Sequence, residues 1–342
     1  MEGLNKIYIL LLIVLGVVVL IVGQSIIVPF ILAVLFWFMI RIVRSLLMKI
    51  RYIKKLPAGL LTTFSTLVML AVLGSFATLI SSNIQQLSLA LPQYESNINI
   101  IVDSINQKFS IDIAGLIVDY TADFDFAGIL TDIFGVLTSL FGDVVTVLIF
   151  LLFILLEEPT FSKKLRAMYP DNNKHQHISE MIAKISTSIN GYLTVKTFTS
   201  FLTGFLSYFC LLFIGVDAPL FWAFLIFILN YIPTIGSLIA TLFPTIFAML
   251  QFGDISPAIL VVSIVGAIQI LVGNILEPRI MGSSLNISPL VVIITLFVWG
   301  AIWGVLGMLL SVPITVMIII VLSEFENTRP IAILLSQKGS LG

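Results

Sequence analysis

Glu277 and Arg279 flank Pro278 at the end of an apolar run, just beyond Asn274. An acid and a base so placed can pair, gate or bind a polar solute, or exchange a proton or cation. A charge in hydrocarbon costs at least about 2.5–3.5 kcal/mol, so such residues face a cavity or a partner. Snorkelling to the interface is the plainer alternative. If the pair is functional, Glu277→Gln and Arg279→Gln are both expected to reduce activity without affecting insertion. A second group, Asn230, Pro233, Gly236 and Pro244, lies inside the apolar run 219–250. Proline removes a backbone donor and clashes with the preceding turn, a cost of about 3 kcal/mol in a helix interior. Lipid supplies no water for the freed groups, so such a break is buried in protein or lines a cavity. A third group is Gly282, ahead of the last apolar run, with Pro289, Gly300, Gly304, Gly307 and Pro313, which punctuate that run. The small-xxx-small spacing of its glycines lets helices approach closely.

Other chemistry is poorly provided for. His175 and His177 are two positions apart and on a helix would not face each other, which disfavours a metal pair. There is no HExxH zinc site, no GxxxxGK[ST] phosphate loop and no GxSxG elbow. The FGD triplets at 141–143 and 252–254 lack the further glycine of an intramembrane aspartyl protease. Cys210 is the sole cysteine, so neither an intrachain disulfide nor a thiolate cluster can form. An enzyme is disfavoured, and no cofactor, metal or nucleic acid is called for. Any transport would run without a nucleotide.

These residues must be positioned by membrane helices. Of the 342 residues, 59% are hydrophobic and only 10% charged, against about 25% charged in soluble chains. Apolar stretches fall at 7–22, 26–43, 58–80, 141–157, 197–215, 219–250, 256–275 and 289–322. That predicts an all-α polytopic membrane protein of about eight membrane segments, at ~20 residues per span. The first stretch is followed by no small-x-small cleavage site before Gln24, so it reads as a span. The runs 219–250 and 289–322 are too long for one crossing and read as Gly/Pro-broken helical hairpins. On helix 256–275, Val261 reads as lipid-facing.

Charge sets the threading. Arg41, Arg44, Lys49, Arg51, Lys54 and Lys55 crowd one loop, and Lys163, Lys164, Arg166, Lys174, Lys184 and Lys196 another. Between them, residues 81–143 carry Lys108 alone against eight acids. Cytoplasmic loops concentrate Lys and Arg, so both termini and 158–195 are expected inside and 81–140 outside. The domains are then 1–80, N-terminal membrane helices; 81–140, an acidic helical cap with a helix opening at Pro92; and 141–342, a transport core. Its inner segment 158–195 is amphipathic, with Ile178, Ile182, Ile185, Ile189 and Tyr192 on one stripe.

The two broken runs also resemble each other. Pro219-Leu220 precedes Gly236 and Pro244, and Pro289-Leu290 precedes Gly307 and Pro313, at similar spacings. Parity has the first entering from outside and the second from inside, the pattern of an inverted-repeat transporter. Two ordinary hairpins with coincidental Pro and Gly are the alternative. The tips are expected at Asn230–Gly236 and Gly300–Gly307, meeting near the bilayer midplane.

Residues 190–322 carry a family likeness. The stretches NGYLTVKTFTSFLTGF, IGVDAPLFWAFLIFILNYIPTIGSLIATLFP and VGNILEPRIMGSSLNISPL come in order, and GMLLSVP closes the set at Gly307–Pro313. The chain resembles the AI-2E family of bacterial transporters, also called the autoinducer-2 exporter or PerM-type permease family. The resemblance implies a secondary transporter of the bacterial cytoplasmic membrane, often a homo-oligomer. Some members export autoinducer-2, others are linked to sodium/proton exchange, and others are unassigned. The leading expectation is export of a small polar solute, such as a signalling molecule, by alternating access. Sodium (lithium)/proton antiport is the runner-up, because no acid falls mid-span. A non-transporting scaffold acting through the acidic cap is the alternative from another class.

Overall fold

Every regular element described in the computed structural model is a helix, apart from one isolated bridge between Ile287 and Ser336. The structure describes residues 2–50, 57–109, 128, 135, 144–282 and 286–339. Arg51, Lys54, Lys55, Asp143 and most of the expected cap beyond Phe109 lie outside them. Helices α1 (Glu2–Val22) and α2 (Gln24–Leu47) are followed by α3 (Ala58–Phe109), α4 (Val144–Met168) and α5 (Asn172–Ile214). Then come α6 (Pro219–Leu229), α7 (Ile235–Phe252) and α8 (Ile255–Gln269), which runs through a π turn (Ile270–Leu276) into α9 (Glu277–Met281). Helices α10 (Pro289–Glu324) and α11 (Arg329–Leu335) complete the set. Among the described residues, 7 helices are long and apolar enough to cross a membrane, and α6 is a shorter apolar one. The all-α membrane architecture is as the composition requires.

Two elements run further than their composition suggests. Helix α3 is 52 residues long and passes through Pro92, where a new helix was expected to open. Helix α5, of 43 residues, joins the polar inner segment and the apolar span in one piece. At 1.5 Å per residue these are about 78 and 65 Å, well beyond a ~30 Å hydrocarbon core. A change from polar to apolar residues marks where a helix enters lipid, not where it ends.

The chain forms two compact units. The first comprises Met1–Leu67, Leu140–Thr194 and Ser283–Gly342. Here α2 packs along α4, with Phe30 edge-on to Phe150. Trp37 Nε1 donates to Glu158 Oε2 at 2.9 Å, and Arg44 donates to Glu158 Oε1 at 3.4 Å and to Thr62 Oγ1 at 2.9 Å. Arg41 lies over the Trp37 ring. Two cations of the basic stretch are thereby held on a helix instead of in a loop.

The second unit comprises Val68–Ser139 and Val195–Gly282. Lipid tails are as apolar as leucine, so packing and polar satisfaction hold membrane helices together, not water exclusion. The packing centres on Trp222 and Phe247, with ring centroids 4.8 Å apart, and Tyr94 sets its edge on Phe247. Val261 is 0% exposed, in a stripe with Ala258 and Val265 that faces α7; it does not face lipid. At the end of the unit where α5 and α7 finish, Tyr94 donates to Asp217 Oδ2 at 2.8 Å. Asn97 Nδ2 caps the Leu250 and Gln251 carbonyls, and the Gln251 side chain bridges Asp217 N and the Gly215 carbonyl. Burial, reinforced by the bond to Asp217 and its charge, pushes the Tyr94 phenol above its ordinary pKa, so it remains a donor.

Candidate functional site

The site is built around the break between α6 and α7. Pro219 opens α6 at its first turn, where a missing N–H costs nothing. The helix ends at Leu229, and turn bonds from Asn230, Tyr231 and Ile232 to carbonyls at 226, 228 and 229 close it. Pro233 has no N–H to continue the ladder. Its carbonyl instead accepts from Ile235 N at 2.6 Å, enclosing Thr234 in a γ-turn at φ 60, ψ −60. That backbone is strained for a β-branched residue, at a cost of order 1–3 kcal/mol. The chain has then reversed. Residues seven apart on a straight helix are ~10 Å apart, yet a Cβ on Gly236 would lie 1.9 Å from the Leu229 carbonyl oxygen. Only glycine fits there.

Beside this tip lies a cavity of about 290 Å³. Asn230, Pro233 and Thr234 form one wall, with Ser237 from the first turn of α7. Helix α5 contributes Lys196 and Thr203, and its Gly204 permits close approach, since a Cβ there would stand 2.8 Å from the Ala223 carbonyl oxygen. Gln269, at the end of α8, and then Gly273, Asn274 and Glu277 form the remaining wall. They come from the π turn and its flanks. A π turn holds an extra residue, shifts the register of the helix beyond it and recurs at functional sites.

The polar groups are specific. Lys196 Nζ donates to Glu277 Oε1 at 2.7 Å, and Thr199 Oγ1 lies 3.1 Å from Glu277 Oε2 and 3.0 Å from the Val195 carbonyl, two acceptors for its single proton. The Lys196 side chain is 9% exposed and that of Glu277 18%, so the pair is largely but not fully withdrawn from solvent, and each ion depends on the other. The Thr197 and Tyr231 hydroxyls meet at 2.7 Å and tie the tip to α5. Gln269 Nε2 and Asn230 Oδ1, on residues each 7% exposed, have no hydrogen-bond partner among the described residues. The wall thus presents opposite charges that cancel, two underused amides and several hydroxyls. No group of three His, Cys, Asp or Glu able to hold a metal forms among the described residues.

Of the residues singled out in the sequence, Asn230, Pro233, Asn274 and Glu277 line this cavity, and Gly236 sets the fold of its tip. Pro244 is buried within α7, which continues through it. Pro278 stands in the first turn of α9, and Gly282 caps that helix at φ 57. Arg279 is exposed and off the cavity; the partner of Glu277 is Lys196, 81 residues earlier. Gln269, Thr203 and Ser237 escaped the sequence reading, Lys196 entered it only as an inside charge, and Thr234 only as part of the expected tip. A lone glutamine in the apolar run 256–275 and a lysine leading directly into a span were the available signals.

The remaining residues belong to the first unit. Pro289 opens α10, and Pro313 is buried in its second half. Between them the helix breaks at Trp303 (φ −129, ψ 17) and Gly304 (φ 62, ψ −142). Residues eight apart on a straight helix would be ~12 Å apart. A Cβ on Gly307 would nonetheless lie 1.9 Å from the Trp299 carbonyl oxygen, and one on Gly300 would lie 2.9 Å from the Met308 side chain. These glycines let the two arms of one hairpin close on each other. Trp303 Nε1 donates to the Leu20 carbonyl at 2.9 Å, anchoring the turn to α1.

The AI-2E family transporter model matches residues 7–327. The AI-2 transport protein TqsA of Escherichia coli K12 is 32% identical over 92% of this chain and 90% of its own length. A putative transport protein of Haemophilus influenzae is 32% identical over the same shares. A sodium-lithium/proton antiporter of Halobacillus andaensis is 22% identical over 74% of this chain and 73% of its own length. Relatives named as transport proteins support a membrane transport function.

Proposed function

This chain belongs to the AI-2E family of transporters, and on that premise we propose that it exports a small polar solute by alternating access, with the cavity beside the α6–α7 tip as its solute site. One observation carries this: a strained break in an apolar helix opens on a cavity holding the largely buried Lys196–Glu277 pair. In secondary transporters, discontinuous helices place backbone groups and charges at the substrate. A scaffold acting through an outer cap has no use for that arrangement. The absence of a phosphate-binding motif in the sequence favours a solute or ion gradient as the driving force. The family supports a bacterial cytoplasmic membrane, and the distribution of Lys and Arg supports both termini inside. The family resemblance favours a homo-oligomer.

Exchange of sodium or lithium for protons is the second possibility. It is favoured by the Glu277 carboxylate, which meets the cavity bearing a cation, Lys196, that another cation could displace. The name of the Halobacillus relative points the same way. The test is flux into proteoliposomes holding the full chain, with labelled solutes, AI-2 and ²²Na⁺ each assayed against empty liposomes. Solute flux lost in Glu277→Gln supports export through the cavity. Sodium flux driven by a pH gradient, with no solute flux, supports the antiporter instead. No flux of any kind contradicts both.

A further inference from the structure

We infer that the solute of this cavity is a small zwitterion, with an α-amino acid as the simplest case, and that it binds by opening the Lys196–Glu277 pair. This rests on the transport proposal above and narrows it to a solute class. The fixed charges of the wall sum to zero. A solute bearing net charge would leave one buried ion without its counter-charge, which apolar surroundings penalise heavily. A neutral solute that leaves the pair closed meets only hydroxyls and amides. A zwitterion returns one charge of each sign: its ammonium takes the place of Lys196 on Glu277, and its carboxylate takes the place of Glu277 on Lys196.

Three further features fit such an exchange. Thr199 Oγ1 lies 3.1 Å from Glu277 Oε2, so when the pair opens its one proton can turn from the Val195 carbonyl, 3.0 Å away, to the carboxylate. Asn230 and Gln269 each bring a buried amide with an unpartnered atom to the same cavity. A side-chain amide has both a donor and an acceptor edge, so the two together serve an ammonium and a carboxylate at once. Finally, about 290 Å³ is the volume of roughly ten water molecules in the liquid, enough for a solute of amino-acid size.

The experiment is counterflow of labelled alanine by the full-length protein in proteoliposomes, challenged with unlabelled compounds. Wild type should exchange alanine, and other small α-amino acids should compete. Ethylamine and propionate, which each carry one of the two charges, should compete at least tenfold less well, as should the neutral polyol erythritol. Lys196→Met and Glu277→Gln should each lower exchange at least tenfold, with size-exclusion profiles checking that the variants are folded. The competition pattern needs only wild type and stands whatever those variants do. Exchange of erythritol or ²²Na⁺ that alanine neither shares nor inhibits would overturn the zwitterion while leaving transport intact. Exchange of none of these compounds would overturn the zwitterion, and absence of AI-2 and ²²Na⁺ flux from the same proteoliposomes would overturn the transport proposal with it.

Discussion

Glu277 and Lys196 depend on each other, and that dependence can be measured. Removing one member of a largely buried pair leaves an uncompensated charge, at a cost of up to about 3–5 kcal/mol, whereas replacing both is often nearly neutral. Lys196→Met and Glu277→Gln should therefore each lower the unfolding temperature in detergent, and the double variant should recover much of the loss while transporting no solute. Arg279→Gln should change neither stability nor flux, because Arg279 is exposed and off the cavity. That departs from the sequence expectation, which gave Glu277 and Arg279 one role because they are neighbours. Asn230 was legible as a polar residue inside an apolar run, and Glu277 as a charge at the end of one. Lys196 was not, because at the edge of a span it counts equally well as an inside charge that sets topology. Its contact with Glu277, at the start of α9, joins positions 81 residues apart, a relation that no local spacing encodes.

Proline and glycine made the breaks in both long apolar runs legible at the level of the element. The structure adds the reason that glycine is needed. At Gly236 and Gly307 a Cβ would lie 1.9 Å from a backbone oxygen, and backbone cannot swing aside as a side-chain end can. Gly236→Ala and Gly307→Ala should therefore exceed the usual overpacking cost of about 1–3 kcal/mol. Gly266→Ala, in open space on α8, should be silent in the same melts. Val261 illustrates what was illegible. A helix apolar all round has no polar face to show which side meets lipid and which meets protein. The packing of α8 on α7 buries Val261, so Val261→Leu should lower the unfolding temperature, while Val262→Leu, on an exposed face, should leave it unchanged. The lengths of α3 and α5 were hidden likewise, because a shift in composition along one helix looks like a boundary.

For the whole molecule, composition alone was enough to establish a polytopic all-α membrane protein, and family likeness a transporter. Neither locates a transport path, since hydrophobicity reports the solvent of a helix and not its neighbours. The central claim is that solute passes through the cavity beside the α6–α7 tip. Cys210 is the sole cysteine, so Cys210→Ala provides a thiol-free background in which Ser237→Cys places one thiol on the cavity wall. The decisive measurement is solute counterflow by that variant in proteoliposomes, before and after a charged methanethiosulfonate reagent. A solute path through the cavity predicts that labelling abolishes exchange, that reduction restores it, and that transported solute slows the labelling. Complete labelling with undiminished exchange would contradict it.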